Sequence, residues 1–318
     1  MSRLTGRSVL VTGGCGFIGA HLVAALLRDG AARVVVLDRI DMPPSRLDLA
    51  ADGRMRFVRH RLGSDPTREL DATLDGVDLV VHLAAEKHRP SLDDPDELLA
   101  TNVVGTRRLY DAAARAGVRK VVFSSSLYAY GRLHEPPMDE SECPQPTTLY
   151  GMSKLFGEQL LRLHTADGRM HGDALRFFFV YGPGQYAGTG YKSVIVRSFE
   201  HLARGEAPVI NGDGRQALDY VFVDDVVEAV VRCLLAPGGG RLLNVGSGRA
   251  TCVGDLVERL CATAGVDCRP RSAPPDWTHG THRVGAIDRI RETLGWTPAV
   301  GLDEGLRRTW EWIKHQPA

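Results

Sequence analysis

The sequence carries no excess charge of either sign, because 39 Lys and Arg residues balance 39 Asp and Glu residues and give a formal net charge of +0. Proteins that bind nucleic acid or an anionic membrane usually present a basic patch. No apolar run approaches the roughly 20 residues that a membrane-spanning helix needs. These absences predict a protein with no nucleic-acid partner and no membrane partner.

Cysteines are few and scattered, at positions 15, 143, 233, 252, 261 and 268. None forms the C-x-x-C pair that is typical of zinc sites, so the sequence predicts no metal site. Cysteines without such patterning are typical of a reducing compartment. The chain also passes from Met1 through polar Ser2 and Arg3 directly into a predicted strand, without the pattern of a secretory signal. We therefore expect a cytoplasmic protein.

The composition is that of an ordinary globular protein, with 43% hydrophobic and 25% charged residues in a chain of 318. Apolar runs that are typical of buried strands alternate with segments of helical periodicity. The predicted strands lie near residues 9–11, 34–37, 56–58, 77–83, 120–124 and 174–180. This alternation predicts an α/β protein with a doubly wound parallel sheet, the Rossmann fold.

The first predicted strand runs into a glycine-rich turn and then into a helix, over residues 9–27. In that context Gly13 allows a tight turn, Gly16 lets a pyrophosphate approach the backbone, and Gly19 lets helix and strand pack closely. Unpaired N–H groups at the start of the helix, including those of Phe17 and Ile18, favour phosphate. An ordinary tight turn would carry the same glycines, so the pattern alone is weak.

The second strand ends in Asp38, about 20 residues beyond the glycines, where a carboxylate accepts hydrogen bonds from the ribose hydroxyls of a dinucleotide. This acid favours a dinucleotide site over a plain turn. It would repel a 2′-phosphate and so favours NAD over NADP, although Arg39 beside it leaves NADP open. We expect an NAD-binding domain over residues 1–176, with an interleaved segment at about 214–247. A smaller C-terminal substrate-binding lobe is expected over residues 177–318.

Tyr150 and Lys154 lie four residues apart in a predicted helix, so both side chains share one face. A free phenol has a pKa of about 10, and a nearby ammonium together with a cationic nicotinamide would lower it. Such pairs also occur by chance on solvated helices. Here the pair follows the nucleotide turn and a strand that ends in Ser124, Ser125 and Ser126, which favours a catalytic role.

With these motifs the chain resembles the extended short-chain dehydrogenase/reductases that act on nucleotide-sugars, including UDP-galactose 4-epimerases and sugar 4,6-dehydratases. The resemblance runs from about residue 8 to about residue 312. It rests on residues 12–19, 82–85, 102–106, 124–126, 130–131, 150 and 154, 181–183, 219–225, 244–248 and 294–296.

The resemblance implies that Tyr150 is the general base for a sugar hydroxyl, commonly at C4. It implies that Lys154 holds the nicotinamide ribose and lowers the pKa of Tyr150, and that Ser126 hydrogen-bonds the same sugar oxygen. Hydride would pass to NAD⁺ and return to the opposite face of a 4-keto sugar. The implied cofactor-binding positions are Gly13, Gly16, Phe17, Ile18, Gly19, Asp38, Arg39, Leu62, Leu83, Ala84, Ala85, Lys87, Thr101, Tyr150, Lys154 and Phe178.

The sequence departs from the patterns of both subclasses. Dehydratases place an acid pair directly after the Ser126 position, where this chain has Leu127 and Tyr128, whereas Glu86 is dehydratase-like. Epimerases usually carry Asn at position 179 and a diphosphate-binding Arg at position 218, where this chain has Phe179 and Leu218. Candidate substitutes for that cation are Lys192, Arg215 and Arg271, and Arg61 stands where an Asp usually meets the adenine.

We therefore predict an NAD-dependent nucleotide-sugar 4-epimerase. The alternatives are a dehydratase, dehydrogenase or reductase that acts on an atypical sugar and, more remotely, a non-catalytic nucleotide-binding module. The resemblance also implies a homodimer formed through predicted helices near residues 98–116 and 149–163. Isolated side chains without partners at ligand spacing are expected to have only packing or surface roles: His88, His134, His164, His279, Trp277, Trp310 and Trp312.

Overall fold

The computed structural model describes residues 3–40, 52–88, 90–131, 135–185, 192–276 and 278–316. The strands in chain order are β1 (Ser8–Thr12), β2 (Arg33–Asp38), β3 (Met55–Arg59), β4 (Leu79–His82), β5 (Lys120–Ser126), β6 (His171–Phe177), β7 (Phe179–Tyr181), β8 (Val209–Asn211), β9 (Ala217–Leu218), β10 (Tyr220–Phe222), β11 (Leu242–Val245), β12 (Thr251–Cys252), β13 (Arg271–Ala273) and β14 (His282–Arg283). The helices are α1 (Phe17–Arg28), α2 (Thr67–Leu74), α3 (Pro90–Asp93), α4 (Pro95–Leu98), α5 (Thr106–Arg115), α6 (Leu149–His164), α7 (Val194–Ala203), α8 (Val223–Leu235), α9 (Val253–Ala264), α10 (Asp288–Leu294) and α11 (Leu302–Lys314).

Seven strands form one sheet in the order β11-β6-β5-β4-β1-β2-β3, which confirms the predicted doubly wound Rossmann fold. Parallel ladders join β1 to β2 and β4, β2 to β3, and β4 to β5. The chain therefore winds one way from β1 to β3 and the other way from β4 onward. In such sheets ligands bind at the carboxyl ends of the two strands that flank the reversal, here β1 and β4.

The interior strands β1, β2 and β4 are almost wholly buried, as expected for strands that are covered by helices on both faces. Tyr110 of α5 and Phe123 of β5 belong to one apolar cluster with the strand residues Leu10, Val35 and Val80. Their packing fixes the positions of the strand ends that carry the polar residues described below.

The chain divides into two compact units. The first comprises Met1–Arg132, Cys143–Arg176 and Val227–Leu243, and the second comprises Leu133–Glu142, Phe177–Val226 and Asn244–Ala318. The segment that returns to the first unit is therefore shorter than the predicted 214–247. Within the described ranges, no helix is both long and apolar enough to cross a membrane.

Two predicted elements differ in the structure. The sixth predicted strand, 174–180, is two strands, since β6 lies in the main sheet whereas β7 pairs with β10. Asp224 and Asp225, which the sequence predicts to cap a helix over 226–235, lie inside the first turn of α8. The Asp225 carboxylate accepts hydrogen bonds from the N–H groups of Ala299 and Val300 at 2.9 and 3.1 Å, a long-range contact that local spacing could not reveal.

Cys261 and Cys268 form a disulfide, which the expectation of a reducing compartment did not predict. Helix α9 ends at Gly265, which has a φ of +70°. A left-handed residue of this kind reverses the chain at a helix end, and the reversal brings Cys268 back beside the last turn of α9.

Candidate active site

The glycine-rich turn lies between β1 and α1 at the reversal in the sheet. Gly13 has a φ of +71°, and a Cβ there would come within 2.8 Å of the Ala84 nitrogen. A Cβ on Gly19 would overlap the Gly13 carbonyl oxygen, whereas one on Gly16 would meet only that oxygen, at 3.1 Å. The turn therefore packs against the residues after β4 and leaves open space above the α1 N-terminus, whose half-buried first residues are Phe17 and Ile18. This cradle fits a diphosphate.

The Asp38 carboxylate is held beside this turn. It accepts hydrogen bonds from the backbone N–H of Cys15 at 3.0 Å and of Ile40 at 3.2 Å. Asp38 is half-buried, and a carboxylate has lone pairs left for further donors. Its position fits the ribose hydroxyls of a dinucleotide, as the sequence predicts.

Arg39 is engaged by two carboxylates. It forms a close ion pair with Glu86 and a second one with Glu97 at 3.5 Å. Burial raises the pKa of Glu86, whose backbone N–H donates to Asn102 Oδ1 at 2.8 Å. Arg61 Nη1 also lies 3.9 Å from Glu97 Oε1. Because Arg39 is already paired with two carboxylates, it is less available to a 2′-phosphate, which weakens the case for NADP.

The other predicted cofactor positions in the first unit differ in exposure. Leu83, Ala84 and Ala85, directly after β4, are half-buried, whereas Lys87 is exposed. Leu62 and Thr101 are 4% and 7% exposed, and Thr101 lies in the π-helical segment Leu99–Gly105.

Phe178 belongs to the second unit, where its ring lies against Gly285. Its assignment to the cofactor stays a prediction.

The three serines at the end of β5 have different partners. Ser124 Oγ donates to the His82 carbonyl at 2.9 Å, and Ser125 Oγ donates to the Glu158 carboxylate. Ser126 Oγ hydrogen-bonds the Tyr150 phenol and accepts from the Tyr128 N–H at 3.3 Å. Ser126 is therefore the member of the triplet that contacts Tyr150.

Tyr150 lies in the first turn of α6, which is capped by Thr148. The edge of its ring faces Tyr128, with the ring centroids 5.5 Å apart. Burial raises the pKa of Tyr150 to about 12, against a smaller lowering by the Ser126 hydroxyl. The expected lowering of this pKa is therefore not produced by the side chains alone, because the desolvation of a phenolate outweighs the one hydrogen bond.

Lys154 lies one helical turn beyond Tyr150 and is 3% exposed. Its Nζ donates to the Ser124 carbonyl at 2.8 Å and lies 5.7 Å from the centroid of the Tyr150 ring. Burial lowers the pKa of Lys154 to about 7, whereas the negative charge of Glu158 raises it. Ser126, Tyr150 and Lys154 thus lie together, as the sequence predicts.

Glu158 and Arg176 form a buried ion pair behind Lys154, which the sequence analysis did not identify. The carboxylate accepts from Arg176 Nε at 2.9 Å and from Nη2 at 2.8 Å, and both side chains are at most 5% exposed. The guanidinium carbon also lies 4.2 Å from the centroid of the Tyr130 ring. Because Glu158 follows Lys154 by four residues, helical spacing alone could have indicated their proximity.

Asn102 joins the loop after β4 to the helix that carries Tyr150. Its Nδ2 donates to the Glu86 carbonyl and to Ser153 Oγ, each at 3.0 Å. Asn102 is 3% exposed. Its hydrogen bonds link the π-helical segment to the loop after β4 and to α6.

The residues that depart from the family patterns lie in packed surroundings. Leu127 is 2% exposed and packs in the core, and Phe179 lies against Tyr220 with ring centroids 5.9 Å apart. Leu218 of β9 pairs in register with Arg283 of the parallel strand β14, and Arg283 is 9% exposed.

Among the proposed substitutes for that cation, Lys192 pairs with Glu200 at 2.6 Å, and Arg215 and Arg271 are exposed. His164 Nε2 donates to the Asp111 carboxylate at 2.8 Å, whereas His134 and Trp277 lie outside the described residues.

Known proteins resemble the chain over nearly its whole length. Residues 9–246 match the model of the NAD dependent epimerase/dehydratase family. A UDP-glucose 4-epimerase of Mycolicibacterium smegmatis is 36% identical over 96% of this chain and 98% of its own length. A dTDP-glucose 4,6-dehydratase of Streptomyces griseus is 34% identical over 97% and 94%. The solved structure of MoeE5 in complex with UDP-glucuronic acid and NAD has a TM-score of 0.85 at 35% identity, over 96% of this chain and 98% of that one.

Proposed function

The chain belongs to the NAD-dependent epimerase/dehydratase family, and from that premise we propose that it is a nucleotide-sugar 4-epimerase. The observation that carries the proposal is the contact of Ser126 with Tyr150 beside Lys154, without a free carboxylate pair at the positions that follow Ser126. Leu127 is buried, and the Glu86 carboxylate is paired with Arg39. Removal of water from a sugar needs an additional acid and base at neighbouring carbons. Epimerisation at one carbon needs only Ser126, Tyr150 and Lys154.

In this mechanism Tyr150 Oη takes the proton from the C4 hydroxyl, and Ser126 Oγ hydrogen-bonds the same oxygen and aligns it. When bound, NAD⁺ supplies a hydride acceptor that can return the hydride, together with a positive charge beside the phenol. The turn around Gly13 and Gly16 would hold its diphosphate, Asp38 its adenosine ribose, and Lys154 its nicotinamide ribose. Once the sugar presents the opposite face of C4 to the cofactor, Tyr150 returns the proton to the C4 oxygen.

Dehydratase chemistry is the second candidate, because the dehydratase of Streptomyces griseus is nearly as similar in sequence as the Mycolicibacterium epimerase. The ion pair of Glu86 with Arg39 counts against it, since the pair fixes the position of the carboxylate away from a free role in proton transfer. Arg283, the register partner of Leu218, is the candidate cation for a substrate diphosphate, because a guanidinium binds phosphate oxygens through two parallel donors.

The proposal is tested by incubating the purified protein with a panel of nucleotide-sugars in deuterated water without added NAD, followed by mass spectrometry. We expect an epimer of unchanged mass without deuterium at carbon, because the abstracted hydride returns internally. A product lighter by one water, or one with deuterium next to the former hydroxyl, would identify a dehydratase. Sugars that lack the nucleoside diphosphate serve as the comparison and should not react.

A homodimer is also proposed, through a surface formed by apolar side chains on two neighbouring stretches of helix in the first unit. Met152, Phe156 and Leu163 of α6 are 56%, 39% and 72% exposed and lie on one face, and Leu99 and Val104 of the π-helical segment are also exposed. Exposed apolar groups at this density are typical of an interface.

We expect the double variant Met152→Glu/Phe156→Glu to be a monomer, whereas wild type has twice the chain mass in light scattering at micromolar concentration. The reason is that two carboxylates per subunit would have to be desolvated in the interface. Leu235→Glu is the matched control, because Leu235 is similarly exposed, at 40%, on a different helix. A monomeric wild type, or a double variant that still dimerises, would contradict this proposal.

A further inference from the structure

A histidine and two carboxylates converge just beyond the end of β3, apart from the residues assigned to catalysis. His60 Nδ1 lies 3.5 Å from Glu69 Oε2 and 3.9 Å from Asp65 Oδ2, and the three potential ligand atoms all lie within 4.8 Å of one another. The three residues come from one local stretch, the turn after β3 and the first turn of α2.

The buried histidine nitrogen is the feature that indicates a ligand. The His60 side chain is 2% exposed, and its Nδ1 has no hydrogen-bond partner among the described residues. A buried polar atom without a partner costs free energy, and such atoms are rare in folded proteins. Here the atom faces two carboxylates, which repel each other at this separation and are both stabilised by a cation between them.

From this geometry we propose that His60, Asp65 and Glu69 bind one divalent transition-metal ion of the zinc class. One imidazole nitrogen and two carboxylate oxygens are a zinc-type ligand set, with the fourth tetrahedral position left to water. Ligands at zinc distances of about 2.0–2.2 Å lie roughly 3.3 Å apart in a tetrahedron. The His60–Glu69 separation already fits, and Asp65 needs to move only slightly.

The backbone around the site is already fixed. Asp65 Oδ2 accepts from the Arg61 N–H at 2.6 Å, and the His60 N–H donates to the Asp38 carbonyl at 2.8 Å. Asp65 and Glu69 are 40% and 52% exposed, so an ion can enter from solvent and both carboxylates can adjust. In place of the sequence-based expectation of no metal, the proposal gives a structural metal that links His60 at the end of β3 to Glu69 in the first turn of α2.

The test is a titration of the full chain, stripped with chelator, with zinc chloride in a calorimeter, followed by thermal melts with and without zinc. We expect one equivalent to bind and to raise the melting midpoint. Glu69→Gln keeps the size of the side chain but removes one ligand, and it should weaken binding about tenfold or more. The matched control is Asp71→Asn, since Asp71 lies on the same helix at 44% exposure and pairs with Arg115.

Absence of stoichiometric binding to wild type would overturn the proposal. Zinc binding that is equal in wild type and in Glu69→Gln would overturn it as well, because the ion would then lie elsewhere. A second variant, Asp65→Asn, tests the same site if Glu69→Gln fails to fold. Because the readout is binding and not turnover, the result is independent of the proposed epimerase activity.

Discussion

Replacement of Tyr150 by Phe lowers kcat by about 10²–10⁴-fold, the range that is typical of a lost general acid–base group. The variant keeps the ring, and therefore its contact with Tyr128, and removes only the hydroxyl that Ser126 contacts. Because the phenol acts on the transferred proton and contributes little to binding, kcat and kcat/KM should fall together. Steady-state assays with the substrate identified by mass spectrometry measure both constants.

Tyr110→Phe is the matched control, because it removes the same hydroxyl from a tyrosine that is fully buried and whose Oη has no hydrogen-bond partner among the described residues. It should leave turnover unchanged within a factor of about two. Both variants should retain the nucleotide, which shows that the fold is intact. Full activity of Tyr150→Phe would remove Tyr150 from the mechanism and leave the family assignment standing.

Replacement of Glu158 by Gln lowers the free energy of unfolding by about 3–5 kcal/mol, because it leaves the buried Arg176 guanidinium without its counter-charge. Both side chains are at most 5% exposed and share two hydrogen bonds. Chemical denaturation measures the change. Glu311→Gln is the control, since Glu311 pairs with Lys314 at 48% exposure and its loss should cost less than about 1 kcal/mol.

The same variant changes the pH dependence of turnover. Burial holds the pKa of Lys154 at about 7, and the Glu158 charge is what keeps it from falling further. Without that charge the pKa of Lys154 falls, so the alkaline decline in rate that accompanies loss of the ammonium moves to lower pH. If Glu158 were only structural, the rate would fall equally at every pH. The variant Glu158→Leu/Arg176→Met removes both charges together and should be more stable than Glu158→Gln alone.

The nucleotide turn was predictable because everything it requires lies within a few residues. Gly13 allows the tight turn, Gly16 leaves open space above the helix, and Gly19 permits close packing. Each of these requirements is set by residues nearby in the sequence. The pairing of Tyr150 with Lys154 was predictable for the same reason, since four residues on a helix make one turn.

The charges around the site were not predictable from spacing. Arg39 could have faced a 2′-phosphate, but folding brings Glu86 and Glu97 against it from the other side of the sheet reversal. Leu218 indicated a missing cation, whereas the register of two short strands pairs it with Arg283, which lies 65 positions further along the chain. Neither pairing can be inferred from the local sequence pattern.

The sequence by itself determined the fold, the glycine-rich turn after β1 and the proximity of Tyr150 to Lys154, because those depend on periodicity and on short spacings along one chain segment. Only the tertiary structure decided how these groups titrate. Burial raises the pKa of Tyr150 to about 12 and lowers that of Lys154 to about 7. Both shifts arise from the removal of water by neighbours that are distant in sequence, and desolvation is a property of the packed molecule.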